Sequence, residues 1–348
     1  MQDRLACFPC VARKPLSLLE FDQMATTPPE TPSTTPSAPF DFIFYNARGL
    51  RAGWRLMIFV AMSSALAFGT QEIVRRLGPG LGPGGAPNAP TGYLLPVIYG
   101  FAELVPFLVL LFLCWIMSRI EQRDVGTYGL PLRRTAFSRF WTGYVFWGFL
   151  PLSILLLIMR ALHVFYFGNL MLHGGQILIW AVLWGLMFLM VGLFEEFLFR
   201  GYALHTLAEG IGFWPATIIM AVVFARAHMG NSGETHVGII ATGFFALFAA
   251  ATLWRTGDLW LAVGAHAGWD WSQSFFYGVN DSGLHAPGHL LNPHQAGPDW
   301  LSGGSVGPEG SVLTLILWGL MMITVLLLYR KKHQAAVEQP ATSFAQEL

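Results

Sequence analysis

The sequence predicts an all-α, polytopic membrane protein of about eight transmembrane helices with a functional site between them. Two observations carry this. Several apolar runs reach about 20 residues, the length that crosses the hydrocarbon of a bilayer. The 348 residues are 54% hydrophobic and 11% charged, with a mean hydropathy of +0.52. Soluble domains carry roughly 25% charged residues, so a water-soluble protein with a very large core does not suit this composition. A formal net charge of +0 leaves no case for nucleic-acid binding.

Residues 1–40 lack the apolar core of a signal peptide, and ATTPPETPSTTPSAP within them is a Pro/Thr-rich stretch expected to be disordered. Met24, just before it, is a candidate start that would leave out Cys7 and Cys10. Those two form a lone CxxC, which reads as two reduced thiols ahead of a zinc site; Cys114, in an apolar run, reads as a small buried hydrophobe. Apolar spans follow at 54–74, 94–118, 141–162, 176–203, 213–229, 237–254, 258–278 and 311–329; the fifth and sixth are short or Gly-containing. The Gly/Pro-rich GPGLGPGGAPNAP separates the first two, and a polar Gly-, Pro- and His-rich stretch, 279–310, separates the last two. The latter reads as a flexible outer loop; its His285, His289 and His294 have no carboxylate or cysteine spacing that supports a metal site.

Basic residues set the orientation. Arg48, Arg51 and Arg55 precede the first span, and Arg119, Arg123, Arg133, Arg134 and Arg139 follow the second. Arg255 follows the sixth, and Arg330, Lys331 and Lys332 the eighth. With eight alternating helices all of these share one side, which places both termini in the cytoplasm; Arg75 and Arg76 are exceptions that face outward. No internal repeat is evident, which argues against an inverted-repeat transporter.

Ionisable groups inside the apolar spans are the next signal. Glu195 and Glu196 adjoin each other in QILIWAVLWGLMFLMVGLFEEFLFRGYAL, with Arg200 close behind. Each ionised side chain at bilayer depth costs about 2.5–3.5 kcal/mol or more, so a cluster there is a functional signal. At i, i+4 Glu196 and Arg200 share a helix face and can pair, whereas Glu195 points about 100° away. That leaves Glu195 as the acid free to act as a general base toward water. A purely structural ion-pair network is the alternative reading of the three. Phe224 and His228 share a face of the fifth span, and a lone His there serves equally well as a structural residue. Arg226 points elsewhere, toward the interface. His266 and Asp270 repeat the i, i+4 spacing, so both can bind one metal or Asp270 can orient the imidazole. Ala265, Ala267 and Gly268 beside them are small enough for another helix to approach closely, and Trp269 and Trp271 read as packing residues.

Two chemistries suit this set. His228, His266 and Asp270 form a two-His, one-carboxylate set for a metal, possible zinc included, with Glu195 as base. Without metal, Glu195 and His228 activate water and His266 stabilises the oxyanion.

EEFLFR matches the EExxxR motif of the CPBP family, the CAAX proteases and bacteriocin-processing enzymes also called Abi-domain proteins. FARAH matches the family's FxxxH and HAGWD its HxxxN/D, in the family's order and spacing; YGLPL resembles its usual lead-in. The resemblance covers roughly residues 120–280 and implies an intramembrane endopeptidase. On that analogy Glu195 is the base, His228 holds or activates the water, His266 and Asp270 complete the site, and Glu196 and Arg200 are more structural. The family is described both as metalloproteases and as metal-free glutamate proteases. An Asp in place of the Asn form of the third motif cannot donate a hydrogen bond when ionised, which favours a ligand or His-orienting role for Asp270.

The expected organisation is a disordered cytoplasmic segment 1–50, N-terminal transmembrane helices 51–118, a CPBP/Abi-like catalytic core 119–280, and an outer loop, last helix and cytoplasmic tail 281–348. The expected function is hydrolysis of peptide bonds in a membrane-associated peptide or protein at a bacterial cytoplasmic membrane. The competing function class is a non-catalytic scaffold or proton-coupled transporter, in which the ionisable groups spread along the membrane normal instead of meeting in one cavity.

Overall fold

The computed structural model describes residues 41–46, 49–77 and 92–329. Cys7, Cys10, Met24, the Pro/Thr-rich stretch, Arg48, the Gly/Pro-rich loop, the side chains of Arg75 and Arg76, and Arg330, Lys331 and Lys332 lie outside the described residues. Within the segment 1–50, Asp41–Phe44 forms a helical turn and Tyr45–Asn46 pairs antiparallel with Gly49–Leu50, so that part carries local structure.

Each predicted apolar span contains a helix. They are α1 (Ala52–Leu77), α2 (Leu94–Glu121), α3 (Arg134–Ala161), α4 (Gly175–Arg200), α5 (Tyr202–Ile211), α6 (Phe213–His228), α7 (His236–Thr256), α8 (Trp260–Trp271) and α9 (Val312–Leu328). By length and composition four stretches can cross a membrane: α2, α3, the run Gly175–Ile211 and α7; Ala52–Leu66, α6 and α9 are apolar but shorter. The outward residues of α2 explain its environment. Phe101, Val105, Leu108 and Phe112 recur at i, i+4, i+7 and i+11 and are each more than half exposed. A continuous apolar stripe of that kind belongs against lipid tails. The opposite face of the same helix buries Phe107, Leu110 and Cys114, the last as its sequence context predicts.

Two helix contacts position the chemistry. α4 packs on α2 and on α8, and α8 also lies against α3. Within α3 the turns Gly143–Phe149 widen to a π-helix, and this stretch meets α8 backbone to backbone. At Gly268 an added Cβ would fall on the Tyr144 carbonyl, so only glycine allows the approach. The small residues beside His266 therefore do what their size predicts. Trp269 packs tilted against Trp318 of α9 with ring centroids 4.5 Å apart, and the Trp271 indole donates to the Ala181 carbonyl of α4 at 2.9 Å.

The stretch 279–310 corrects its reading as a flexible loop. Leu291–Gln295 (β2) pairs antiparallel with Phe165–Leu170 (β1), with Tyr166 opposite His294. Val279, Asp281, Ala286, Ser302 and Val306 are buried. The chain turns back on itself at points such as Gly307, whose φ of +108° and contact with the Asn280 carbonyl leave no room for a side chain. Hydrophobic periodicity is blind to such a fold because its order comes from turns and backbone pairing.

Candidate active site

α4, α6 and α8 each deliver ionisable side chains to one cavity of about 440 Å³. Glu195, His228, His266 and Asp270 line it. Glu195 Oε2 stands 3.8 Å from His228 Nε2 and 3.8 Å from His266 Nε2, so the acid left unpaired by helix geometry sits between the two imidazoles. Among the described residues none donates a hydrogen bond to that oxygen.

The neighbours of each ring assign its atoms. His228 Nδ1 lies 2.9 Å from the Phe224 carbonyl, one turn earlier. A carbonyl only accepts, so Nδ1–H donates and the neutral ring offers a lone pair at Nε2. Nε2 and Glu195 Oε2 are then two acceptors facing each other, an arrangement that a water molecule satisfies by donating to both. His266 Nδ1 lies 2.9 Å from Glu196 Oε1, and the same oxygen accepts from Arg200 Nη1 at 3.2 Å. Glu196 is fully buried, and Arg200 lies with its guanidinium 4.3 Å from the centroid of the Phe224 ring. The pairing of Glu196 with Arg200 agrees with their i, i+4 spacing. The bond from Glu196 to His266 was not legible in that spacing, because it joins two helices.

Asp270 was expected to orient His266 or to bind a metal beside it. Its Oδ2 is 3.5 Å from His266 Nε2, beyond a hydrogen bond, and the orienting bond to this ring comes from Glu196 instead. Among the described residues, one group of three or more possible ligands has all its donor atoms within 4.8 Å of one another: Asp270, Asp281 and Glu309. His228, His266 and Asp270 do not form such a group. Asp281 and Glu309 come from the stretch 279–310, and Ser274 Oγ donates to Asp281 at 2.9 Å. The Ser282 backbone N–H and hydroxyl donate to Glu309 Oε2 at 3.0 and 3.1 Å. Neither acid was singled out in the sequence, since both lie in Gly/Pro-rich segments without periodicity. His285, His289 and His294 lie apart from this group: His285 faces Asn280, His289 Nδ1–H donates to the Ala286 carbonyl, and the His294 ring lies tilted beside that of Tyr166.

A further acid lines the same cavity. Glu103 of α2 sits in the apolar run GFAELVPF and has no hydrogen bond or ion pair among the described residues. The rule that flagged Glu195, an acid in an apolar span, would have found it.

Burial pushes the Asp281 carboxyl up to about 7, and burial with the neighbouring Asp281 pushes Glu309 up to about 8. The folded protein therefore keeps protons on these groups that the unfolded chain loses from about pH 4 upward. The resulting stabilisation is complete below about pH 4, declines as pH rises, and is gone once pH has passed through 7 and 8. The apparent Tm of the solubilised protein is expected to fall between about pH 4.5 and about pH 8, and the Asp281→Asn, Glu309→Gln pair to flatten that fall. A parent Tm that does not decline over this range would contradict the assignment.

Comparison with known proteins adds one match. Residues 176–272 match the family model described as type II CAAX prenyl endopeptidase Rce1-like. That span holds Glu195, Glu196, Arg200, His228, His266 and Asp270, and it excludes Glu103, Asp281 and Glu309. No curated protein and no solved structure matches the chain. The chain thus combines four stretches apolar and long enough to cross a membrane with a segment similar to type II CAAX prenyl endopeptidases.

Proposed function

We propose, from the premise that residues 176–272 belong to the CPBP/CAAX protease family, that this chain is an intramembrane endopeptidase whose Glu195 activates water without a metal. The observation that carries the reading is the 3.8 Å approach of Glu195 Oε2 to both His228 Nε2 and His266 Nε2 within one cavity. A scaffold or relay has no use for that convergence.

The water donates one hydrogen to Glu195 Oε2 and the other to His228 Nε2, which leaves an oxygen lone pair for the scissile carbonyl carbon. Glu195 takes the proton as the C–O bond forms. The carbonyl oxygen becomes an oxyanion, and His266, carrying a proton on Nε2, donates to it. Nδ1–H of that ring donates to Glu196, which fixes the plane of the imidazole, and Glu195, Glu196 and Asp270 balance the charge of the imidazolium. Collapse of the tetrahedral intermediate breaks the C–N bond, and Glu195 returns its proton to the leaving amine. The products are a free carboxylate and a free amine.

Zinc does not enter the reading. Its catalytic sites combine histidine nitrogen or cysteine sulfur with carboxylate oxygen, all converging at about 2.0–2.3 Å on one point. The compact donor group in the cavity is all carboxylate, and neither histidine belongs to it. Peptide cleavage by the purified protein is expected to survive exhaustive chelation and dialysis at the parent rate. Loss of activity on chelation, restored by a stoichiometric metal, would contradict the metal-free reading.

The substrate in this reading is a peptide segment of a membrane-associated protein, drawn from the lipid side into the cavity. Eight membrane-crossing helices with both chain ends in the cytoplasm of a bacterial cell are part of the same proposal, on the distribution of Arg and Lys.

A further inference from the structure

The cavity wall is unusual in charge. Glu103, Glu195, Asp270, Asp281 and Glu309 line it, and none of its described lining residues is Lys or Arg. Four of these acids have close partners: Glu195 has the two imidazoles, and Asp270, Asp281 and Glu309 face one another, the last two held by serine donors. Glu103 lies within electrostatic range of Glu195 and His266 but makes no hydrogen bond or ion pair among the described residues.

Its position on α2 is not accidental. Phe101, Val105, Leu108 and Phe112 mark the lipid face, and two residues further along a helix is a turn of about 200°. Glu103 therefore shares the inward stripe with Phe107, Leu110 and Cys114, three buried side chains at i+4, i+7 and i+11. One turn earlier, Gly100 packs against Met187 of α4, and Met187 lines the same cavity. An inward carboxylate on a membrane-crossing helix carries a cost that burial among apolar residues does not offset. A cationic group entering the cavity would offset it. The six residues of the hydrolytic set all lie within 176–272, whereas Glu103 is brought in by a helix outside that span. Glu103 is thus not held by the hydrogen bonds of that set and lines the cavity where a substrate group would enter.

We propose that Glu103 is a specificity-determining residue that receives a lysine or arginine side chain of the substrate, close to the scissile bond. The inference rests on the peptidase reading for the word substrate. The subsite itself needs only the cavity and the unpartnered acid. A basic side chain extends its ammonium or guanidinium between α2 and α4 to the Glu103 carboxylate, while its backbone passes Glu195. The apolar stem of that side chain packs on Met187 and Phe188, which suits the long aliphatic portion of Lys or Arg.

The test uses the full chain in lipid nanodiscs and synthetic peptides made as triplets, with Lys, norleucine or Glu at one position and each position scanned in turn. Binding is read by fluorescence anisotropy and cleavage by mass spectrometry on the same samples. Parent protein is expected to bind the lysine peptide about tenfold more tightly than its norleucine twin at one position. Glu103→Gln should bring that ratio close to one, and Glu103→Lys should invert the order of the Lys and Glu peptides. The inversion matters because a variant that merely misfolds loses binding to every peptide alike. Parent protein with no preference for lysine at any position overturns the proposal, as does an unchanged ratio in Glu103→Gln. A lysine preference that depends on Glu103, in a protein that cleaves none of the peptides, upholds the subsite and contradicts the peptidase reading.

Discussion

Glu195→Gln is expected to insert into membranes, purify and melt like the parent chain while losing about 10²–10⁴-fold in kcat. The size of the loss follows from the role: the amide keeps the shape of the carboxylate but cannot take a proton from water. The absence of a structural penalty follows from the surroundings, because Glu195 Oε2 accepts no hydrogen bond among the described residues and its side chain is about a quarter exposed. Peptide cleavage and thermal melting of the same preparation separate the two effects. A variant that folds normally and retains full activity would remove Glu195 from the chemistry.

Arg200→Ala is expected to give the opposite profile, a large loss of stability. The guanidinium is almost fully buried and pairs with a carboxylate that is wholly buried. Removing one partner of such a pair leaves an uncompensated charge and costs about 3–5 kcal/mol. Activity falls as well, because Glu196 loses the partner that balances it and with it the hold on His266. Thermal melting in detergent measures the first effect, and adding Glu196→Gln should recover part of it, since the stranded charge is then gone. A Tm of Arg200→Ala equal to that of the parent would show that the pair does not support the site.

Much of this site was legible in the sequence, for a physical reason. Lipid makes buried charge expensive, so Glu195, Glu196, Arg200, His228, His266 and Asp270 stand out against apolar surroundings. Helical geometry then separates Glu195 from the Glu196–Arg200 pair. The same periodicity placed the spans, and the small residues around His266 foretold the close contact of α8 with α3. What could not be read were relations between elements. The bond from Glu196 to His266 joins residues 70 apart in sequence. The carboxyl group of Asp270, Asp281 and Glu309 depends on turns and a strand pair in 279–310, where composition suggested a loop without structure. Glu103 belongs to a third category. Its signal was present in α2, but it carries no motif spacing and was passed over.

The arrangement also accounts for a division of labour along the chain. α4, α6 and α8 bring together Glu195, His228 and His266, the groups proposed to react, and they fall in the segment that matches a protease family model. α2 and the folded stretch 279–310 close the cavity from outside that segment, adding acids that touch neither imidazole of the hydrolytic pair as partners. In the proposed reading, chemistry and selection are supplied by different parts of the polypeptide.

The claim that Glu195 and His228 hold one and the same water is open to a double-mutant cycle. Single-turnover rates would be measured for the parent, Glu195→Gln, His228→Ala and the double variant, all verified by melting. Groups that act as a unit are strongly non-additive, so the double variant should be about as slow as the slower single variant. Rates in which the two losses multiply would mean that the acid and the imidazole act independently, and the shared water would have to be abandoned.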